Sequence, residues 1–245
     1  MVKETLLEIK NLHVAIGNRE VVKGVNLTLH KSDIMVLLGQ NGSGKTSLIM
    51  SIMGFPSFKV TQGDILFKGK SIVDMPIDQR ARLGIGVLFQ RPPTVRGVKL
   101  RQLVNICSKD KNFDLDKNAQ ELAMTNFLDR DLNLGFSGGE TKRSELLQVI
   151  AQDPEIVLLD EPESGVDLEN IAIMGNIIND FLKSKGRAAL IITHTGYILD
   201  YVDTDLGCVL AENMLHCTQN PRKIINDIRK YGYEKCLTCQ KLNKS

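Results

Sequence analysis

The stretch Gly39-Gln40-Asn41-Gly42-Ser43-Gly44-Lys45-Thr46 decides how this chain is read, because it fits G-x-x-x-x-G-K-[ST], the phosphate-binding P-loop. Its flanks agree with that reading. Ile34–Leu38 before it is an apolar run of strand length, and Ser47–Met53 after it has the composition of a helix. Glycines between a strand and a helix let the backbone wrap a phosphate chain. The N–H groups and the positive end of the helix then point at the anion. Gly39 through Ser47 are therefore expected to cradle a nucleotide. Lys45 adds a cation for the terminal phosphates, and the Thr46 hydroxyl a ligand for magnesium.

Outward from this loop the pattern changes three times. Residues 6–33 alternate in the strand manner about a turn at Gly17-Asn18, which predicts an antiparallel β flap. Strands are expected at residues 63–69 and 85–89, with a short helix at 78–83 between them. From Pro92-Pro93 to about Asp153 no strand is expected, only helical spacing at Leu100–Cys107 and Lys117–Phe127. Strand–helix alternation then resumes, with a strand ending in Asp160, a helix over residues 171–185, a strand over 188–193 and a helix over 197–202. A hairpin closes the pattern at residues 207–218. The expected fold class is α/β, a P-loop NTPase with a mostly parallel core sheet, an antiparallel β flap and an inserted helical subdomain. Residues 1–245 form one domain in this reading. Its nucleotide-binding core with the flap comprises 1–90 and 154–220, the helical subdomain 91–153 and a C-terminal tail 221–245.

Two further stretches carry chemistry. Asp160-Glu161 ends an apolar strand, where the first acid can enter a magnesium shell and the second can polarise water as general base. Ser137-Gly138-Gly139-Glu140 opens a helix whose small residues leave N–H groups free for an anion. Cys236 and Cys239 have the spacing of half a metal site, with His216 and Cys217 as the completing pair nearest in sequence.

The totals exclude several classes. A net charge of +2, with 24% charged residues, leaves no footprint for nucleic acid or for an anionic membrane surface. No apolar run approaches bilayer length, and Met1-Val2-Lys3-Glu4-Thr5 shows no signal-peptide pattern. Five cysteines without a paired framework suit reduced thiols, so a cytoplasmic location without membrane insertion is expected.

With these motifs in order, the chain resembles the ABC-type ATPases over nearly its whole length. Gln90 is similar to the Q-loop glutamine, Phe136–Glu140 to the signature motif, Ser164–Asp167 to the D-loop and His194 to the switch histidine. The resemblance implies ATP as substrate and magnesium held by Thr46, Gln90 and Asp160. Glu161, His194 and Lys45 would be the catalytic residues. It also implies an ATP-dependent homodimer stacked head to tail. Each nucleotide would then lie between one copy's P-loop and the other's Ser137, Gly138, Gly139, Glu140 and Asp167. Ile16 stands where the family usually places an aromatic against adenine, so an aliphatic contact replaces a π-face.

Local stretches resemble the SufC family, ATPases of SUF-type iron–sulfur cluster assembly. Gly135–Gln148 is similar to its GFSGGEKKR…LQ, residues 54–63 to its G-x-P-x-Y-x-V-T-x-G, and Tyr231-Gly232-Tyr233-Glu234 to its GYE. Thr141 departs from the lysine usual there. That resemblance implies a SufB-like scaffold as partner, with a SufD-like companion, moved by ATP-driven dimerisation. The alternative is a nucleotide-binding subunit of a membrane ABC transporter, docking on a permease through the helical lobe near Gln90. A chromosome-structure ATPase would need a long heptad insertion, and this chain has none.

Overall fold

Alternating apolar and polar residues build the first layer. In the computed structural model, which describes residues 3–233, β1 (Thr5–Ile16) and β2 (Arg19–His30) form an antiparallel hairpin. Next come β3 (Ile34–Leu38), α1 (Lys45–Met53), β4 (Lys59–Phe67), β5 (Lys70–Ser71), α2 (Ile77–Leu83) and β6 (Ile85–Leu88). The middle of the chain holds β7 (Val95–Lys99), α3 (Leu100–Cys107), α4 (Leu115–Glu121), β8 (Asp131–Leu132) and α5 (Gly138–Gln152). After these come β9 (Ile156–Asp160), α6 (Leu168–Ser184), β10 (Ala188–Ile192), β11 (Leu206–Ala211), β12 (Met214–Gln219) and α7 (Pro221–Tyr231).

A six-stranded sheet of order β12-β11-β3-β10-β9-β6 is parallel except for the β11–β12 hairpin. Every residue of β3, β9 and β10 is buried, as expected of parallel strands covered on both faces. Their side chains divide with the two-residue period of a strand. Val36, Leu38, Leu159 and Ile191 face a core shared with α3, α5 and α6. Met35, Leu37, Leu158 and Leu190 face the opposite core, shared with α1 and the antiparallel sheet β2-β1-β4-β5. The mostly parallel core and the antiparallel flap therefore agree with the sequence.

Three expectations change. The stretch after Pro93 holds a small antiparallel pair, β7 with β8, where no strand was expected. Two residues of β8 are too few to show a period, and their partner is more than thirty positions away. The helix expected over Lys117–Phe127 is shorter. Ala123 takes a left-handed φ of 51° and breaks α4 from a single 3-10 turn at Thr125–Phe127. The helix expected over residues 197–202 is likewise one 3-10 turn, Tyr197–Asp200. Among the described residues no helix is long and apolar enough to cross a membrane.

Candidate nucleotide-binding site

Register in the parallel sheet brings the chemistry to one edge. Ile192 lies beside Asp160, Leu159 beside Leu88, and Ile192 beside Leu37. The chain therefore leaves β3, β6, β9 and β10 side by side, delivering Gly39, Gln90, Glu161 and His194 to the carboxyl ends of the strands. Ligands of open α/β sheets bind in that position.

Close packing explains the glycines of the loop. A Cβ on Gly39 would collide with the Leu210 carbonyl oxygen, and one on Gly44 with that of Val21. Gly44, with φ 102°, is also in a region that side chains avoid. Helix α1 starts with no side-chain cap and no acid in its first turn, so its positive pole is offered to a ligand. Lys45 is buried and donates to the Gly39 oxygen at 2.8 Å and the Gln40 oxygen at 3.0 Å. Burial pushes its pKa down, while Glu161 and Asp160 pull it back up. Ser43 is buried, and its N–H donates to the Gln40 oxygen at 3.2 Å.

Over the loop lies an open pocket of about 510 Å³. Asn41, Gly42, Gly44, Lys45, Thr46 and Ser47 form its floor, and Gln90, Glu161, Ser164 and His194 one wall. Arg19, Val21 and Asn213 form the other. Ile16 is not part of that lining; it is exposed beside the turn, paired in register with Arg19.

The two acids differ in their surroundings. Asp160 is fully buried, and neither carboxylate oxygen has a hydrogen-bond partner in ordinary geometry. Burial raises its pKa. The nearby Thr46 hydroxyl opposes that, and the charge of Glu161 adds to it. A buried carboxylate left unpaired beside a hydroxyl is a donor set suited to a hard divalent cation. Glu161 sits at a left-handed φ of 49° while its N–H bonds the Ile192 oxygen at 3.0 Å. Such strain in a non-glycine residue is common at functional positions. Gln90 Nε2 donates to Glu161 Oε2 at 2.5 Å, and His194 Nδ1 lies 3.3 Å from Oε1.

Some candidate residues lie apart from this pocket. Ser137 and Gly138 are exposed at the tip of α5, and Gly139 is buried just behind them. The Glu140 N–H donates to the Ser137 hydroxyl at 3.3 Å, and Glu140 Oε2 accepts from the Ser137 N–H at 2.7 Å, a reciprocal capping box. Asp167 caps α6 by accepting from the Asn170 N–H at 2.9 Å. A Cβ on Gly138 would strike the Gly165 carbonyl oxygen, so this tip and the loop before α6 pack directly together. Ser164 of that loop lines the same chain's P-loop pocket, whereas Ser137 and Asp167 do not. Cys236 and Cys239 lie outside the described residues. Among those described, no group of three or more His, Cys, Asp or Glu side chains could hold a metal.

Sequence reasoning passed over Arg19, Asn213 and Glu163. Asn213, at a left-handed φ of 64° in the β11–β12 turn, donates to the Val21 oxygen at 2.7 Å and the Ser43 oxygen at 3.4 Å. Asparagine between two strands was a readable turn signal, but its reach to the P-loop was not. Buried Glu163 accepts from the hydroxyls of Thr193 and Thr195, which ties the residues on either side of His194 to the segment just after Glu161.

A family model described as ABC transporter matches residues 22–164. A probable ABC transporter ATP-binding protein of Streptococcus pyogenes is 38% identical over 242 residues, covering 94% of each chain. An uncharacterized ABC transporter ATP-binding protein of Methanocaldococcus jannaschii is 38% identical over 213 residues, covering 83% of this chain and 85% of its own. Among solved structures, the ADP conformation of an ATP-binding cassette of an ABC transporter superposes with a TM-score of 0.76. It is 24% identical, over 96% of this chain and 97% of that one. At that identity the likeness speaks for the fold.

Proposed function

This chain belongs to the ABC transporter ATP-binding family, and on that premise we propose that it is a nucleotide-binding subunit that couples ATP hydrolysis to movement of a partner. The observation that carries the chemistry is the meeting of Gln90, Glu161 and His194 over the P-loop pocket that holds Lys45. Glu161 takes a proton from the attacking water as the γ-phosphoryl group leaves ADP. Lys45 and His194 offset the charge that gathers on its oxygens. Thr46, Gln90 and Asp160 would hold magnesium, whose charge offsets that of the triphosphate. In the resting arrangement Gln90 Nε2 and His194 Nδ1 each lie against one oxygen of the Glu161 carboxylate, which keeps further lone pairs to accept the proton.

Ser137 and Gly138, exposed at the tip of α5 and outside the lining of their own pocket, support a head-to-tail dimer in which the tip meets the nucleotide of a second copy. Residues 91–153 form the helical subdomain, and a groove of about 260 Å³ between β6 and that region is lined by Phe89, Pro92, Val95, Leu103 and Val149. An apolar segment of a membrane permease fits there, in keeping with the names of the relatives. A second reading, a SufB-like scaffold as partner in iron–sulfur cluster assembly, is favoured by one observation: Glu140-Thr141-Lys142-Arg143 departs from the transporter pattern.

The test of the motor is Glu161→Gln. Hydrolysis is expected to fall by about 10²–10⁴-fold with ATP binding intact, and size-exclusion chromatography should show a dimer with magnesium and ATP. A protein that stays monomeric at saturating ATP sinks the clamp. Pull-down separates the partners, by recovery of either an integral membrane protein or a soluble scaffold.

A further inference from the structure

Two buried ionisable side chains on α5 are not used by the chemistry above. Lys142 and Glu145, one turn apart, are each under 5% exposed. A helix surface usually places such residues in water, because burying an ion without a partner costs several kcal/mol. Both reach the same residue of the chain leaving β6. Glu145 Oε1 accepts from the Phe89 N–H at 2.7 Å, and Lys142 Nζ donates to the Phe89 carbonyl oxygen. Both backbone polar groups of Phe89 are thus held by side chains of one helix. The next residue is Gln90, whose amide holds Glu161. The same helix begins at Ser137, and its Arg143 bonds Asn170, the residue that the Asp167 carboxylate also holds.

We propose that Lys142 and Glu145 are positioning residues that lock Phe89 to α5, so that displacement of the Ser137–Glu140 tip is carried through Gln90 to the Glu161 carboxylate. The inference rests on the ATPase reading for its consequence, but the clamp itself can be read without nucleotide. A backbone segment gripped at both its N–H and its C=O moves with the helix that grips it. With the clamp cut, Gln90 becomes free to take orientations that no longer meet Glu161. ATP binding, which rests on the P-loop's own backbone and Lys45, should then continue while the chemical step slows.

The experiment uses the full chain with Lys142→Met, Glu145→Leu and Glu145→Gln. The glutamine keeps an oxygen to accept from the Phe89 N–H, and so is the conservative variant. Expected are a kcat about tenfold lower for Lys142→Met and Glu145→Leu, with the affinity for a fluorescent ATP analogue unchanged within about twofold. Glu145→Gln should retain the wild-type kcat within the same margin. Hydrogen exchange over residues 85–95, measured without nucleotide, should be slow in the wild type and in Glu145→Gln. It should be faster by about tenfold in the two cut variants. If Glu145→Leu does not fold, Lys142→Met reads the other half of the clamp. An unchanged exchange rate in the cut variants overturns the proposal, as does a Glu145→Gln chain as impaired as Glu145→Leu. Wild-type protein without ATPase activity would instead overturn the functional reading, leaving exchange to decide the clamp.

Discussion

Two helices of this molecule open on glycine, and they treat an incoming anion differently. At the start of α1, Gly44 brings no cap, the first turn has no acid, and Lys45 is buried in the first helical position. At the start of α5, Ser137 caps the first turn and Glu140 closes the box, so a carboxylate already answers the pole of the helix. Glycine alone therefore does not make a phosphate site. The decisive difference is what the first turn already holds. The α1 tip is furnished for a phosphate chain, whereas the first turn of α5 is already answered by its own carboxylate.

Lys45→Ala attacks that contrast at its strongest point. Removing a buried, charged donor should weaken ATP binding by roughly tenfold to a hundredfold, measured by titration calorimetry. An unchanged affinity would mean that the uncapped pole of α1 suffices alone. The buried carboxyl of Glu145 on α5 has a different signature. Burial holds the Glu145 carboxyl protonated up to a pKa of about 8, whereas in the unfolded chain it ionises near 4.5. The folded value is the higher one, so this group's stabilisation is complete at acid pH and drains away as pH rises through about 8. Glu145→Gln has no such proton to lose. Its melting temperature should therefore gain on that of the wild type between about pH 5 and 8, each kcal/mol appearing as roughly 2–4 °C in a chain of this size. A constant difference across that range would show that the carboxyl is ionised in the fold. The smallest effect belongs to Glu140→Gln, which removes the charge at the α5 tip and leaves the Ser137 cap. ATP-dependent self-association, followed by sedimentation, should tighten by roughly two- to fivefold. Weaker association would show that the carboxylate itself serves the interface.

The same contrast marks what sequence could reveal. The P-loop and Asp160-Glu161 were legible because their chemistry demands set residue types at set spacing, with apolar strands before each. The fully buried strands β3, β9 and β10 were legible for the same reason, as runs without alternation. Lys142 and Glu145 were not, because a charged pair on a helix reads as a solvated face until tertiary packing covers it. Asn213 approaches the loop from 170 positions away, so nothing local in the sequence announces its bond to Ser43. Ile16, read as the contact for the base, stands exposed in register with Arg19, and the place of Arg19 in the pocket lining had no local signal. The β7–β8 pair went unseen because a two-residue strand has no period to detect.

The Lys45 contacts bear on how a nucleotide arrives. The Lys45 ammonium already rests on the oxygens of Gly39 and Gln40, which stand in for the phosphate oxygens it would otherwise meet. The loop thus keeps its shape by solvating its own cation. A triphosphate entering meets a loop already folded around its own ammonium. It displaces two backbone dipoles and takes over a charge that folding had already brought into place.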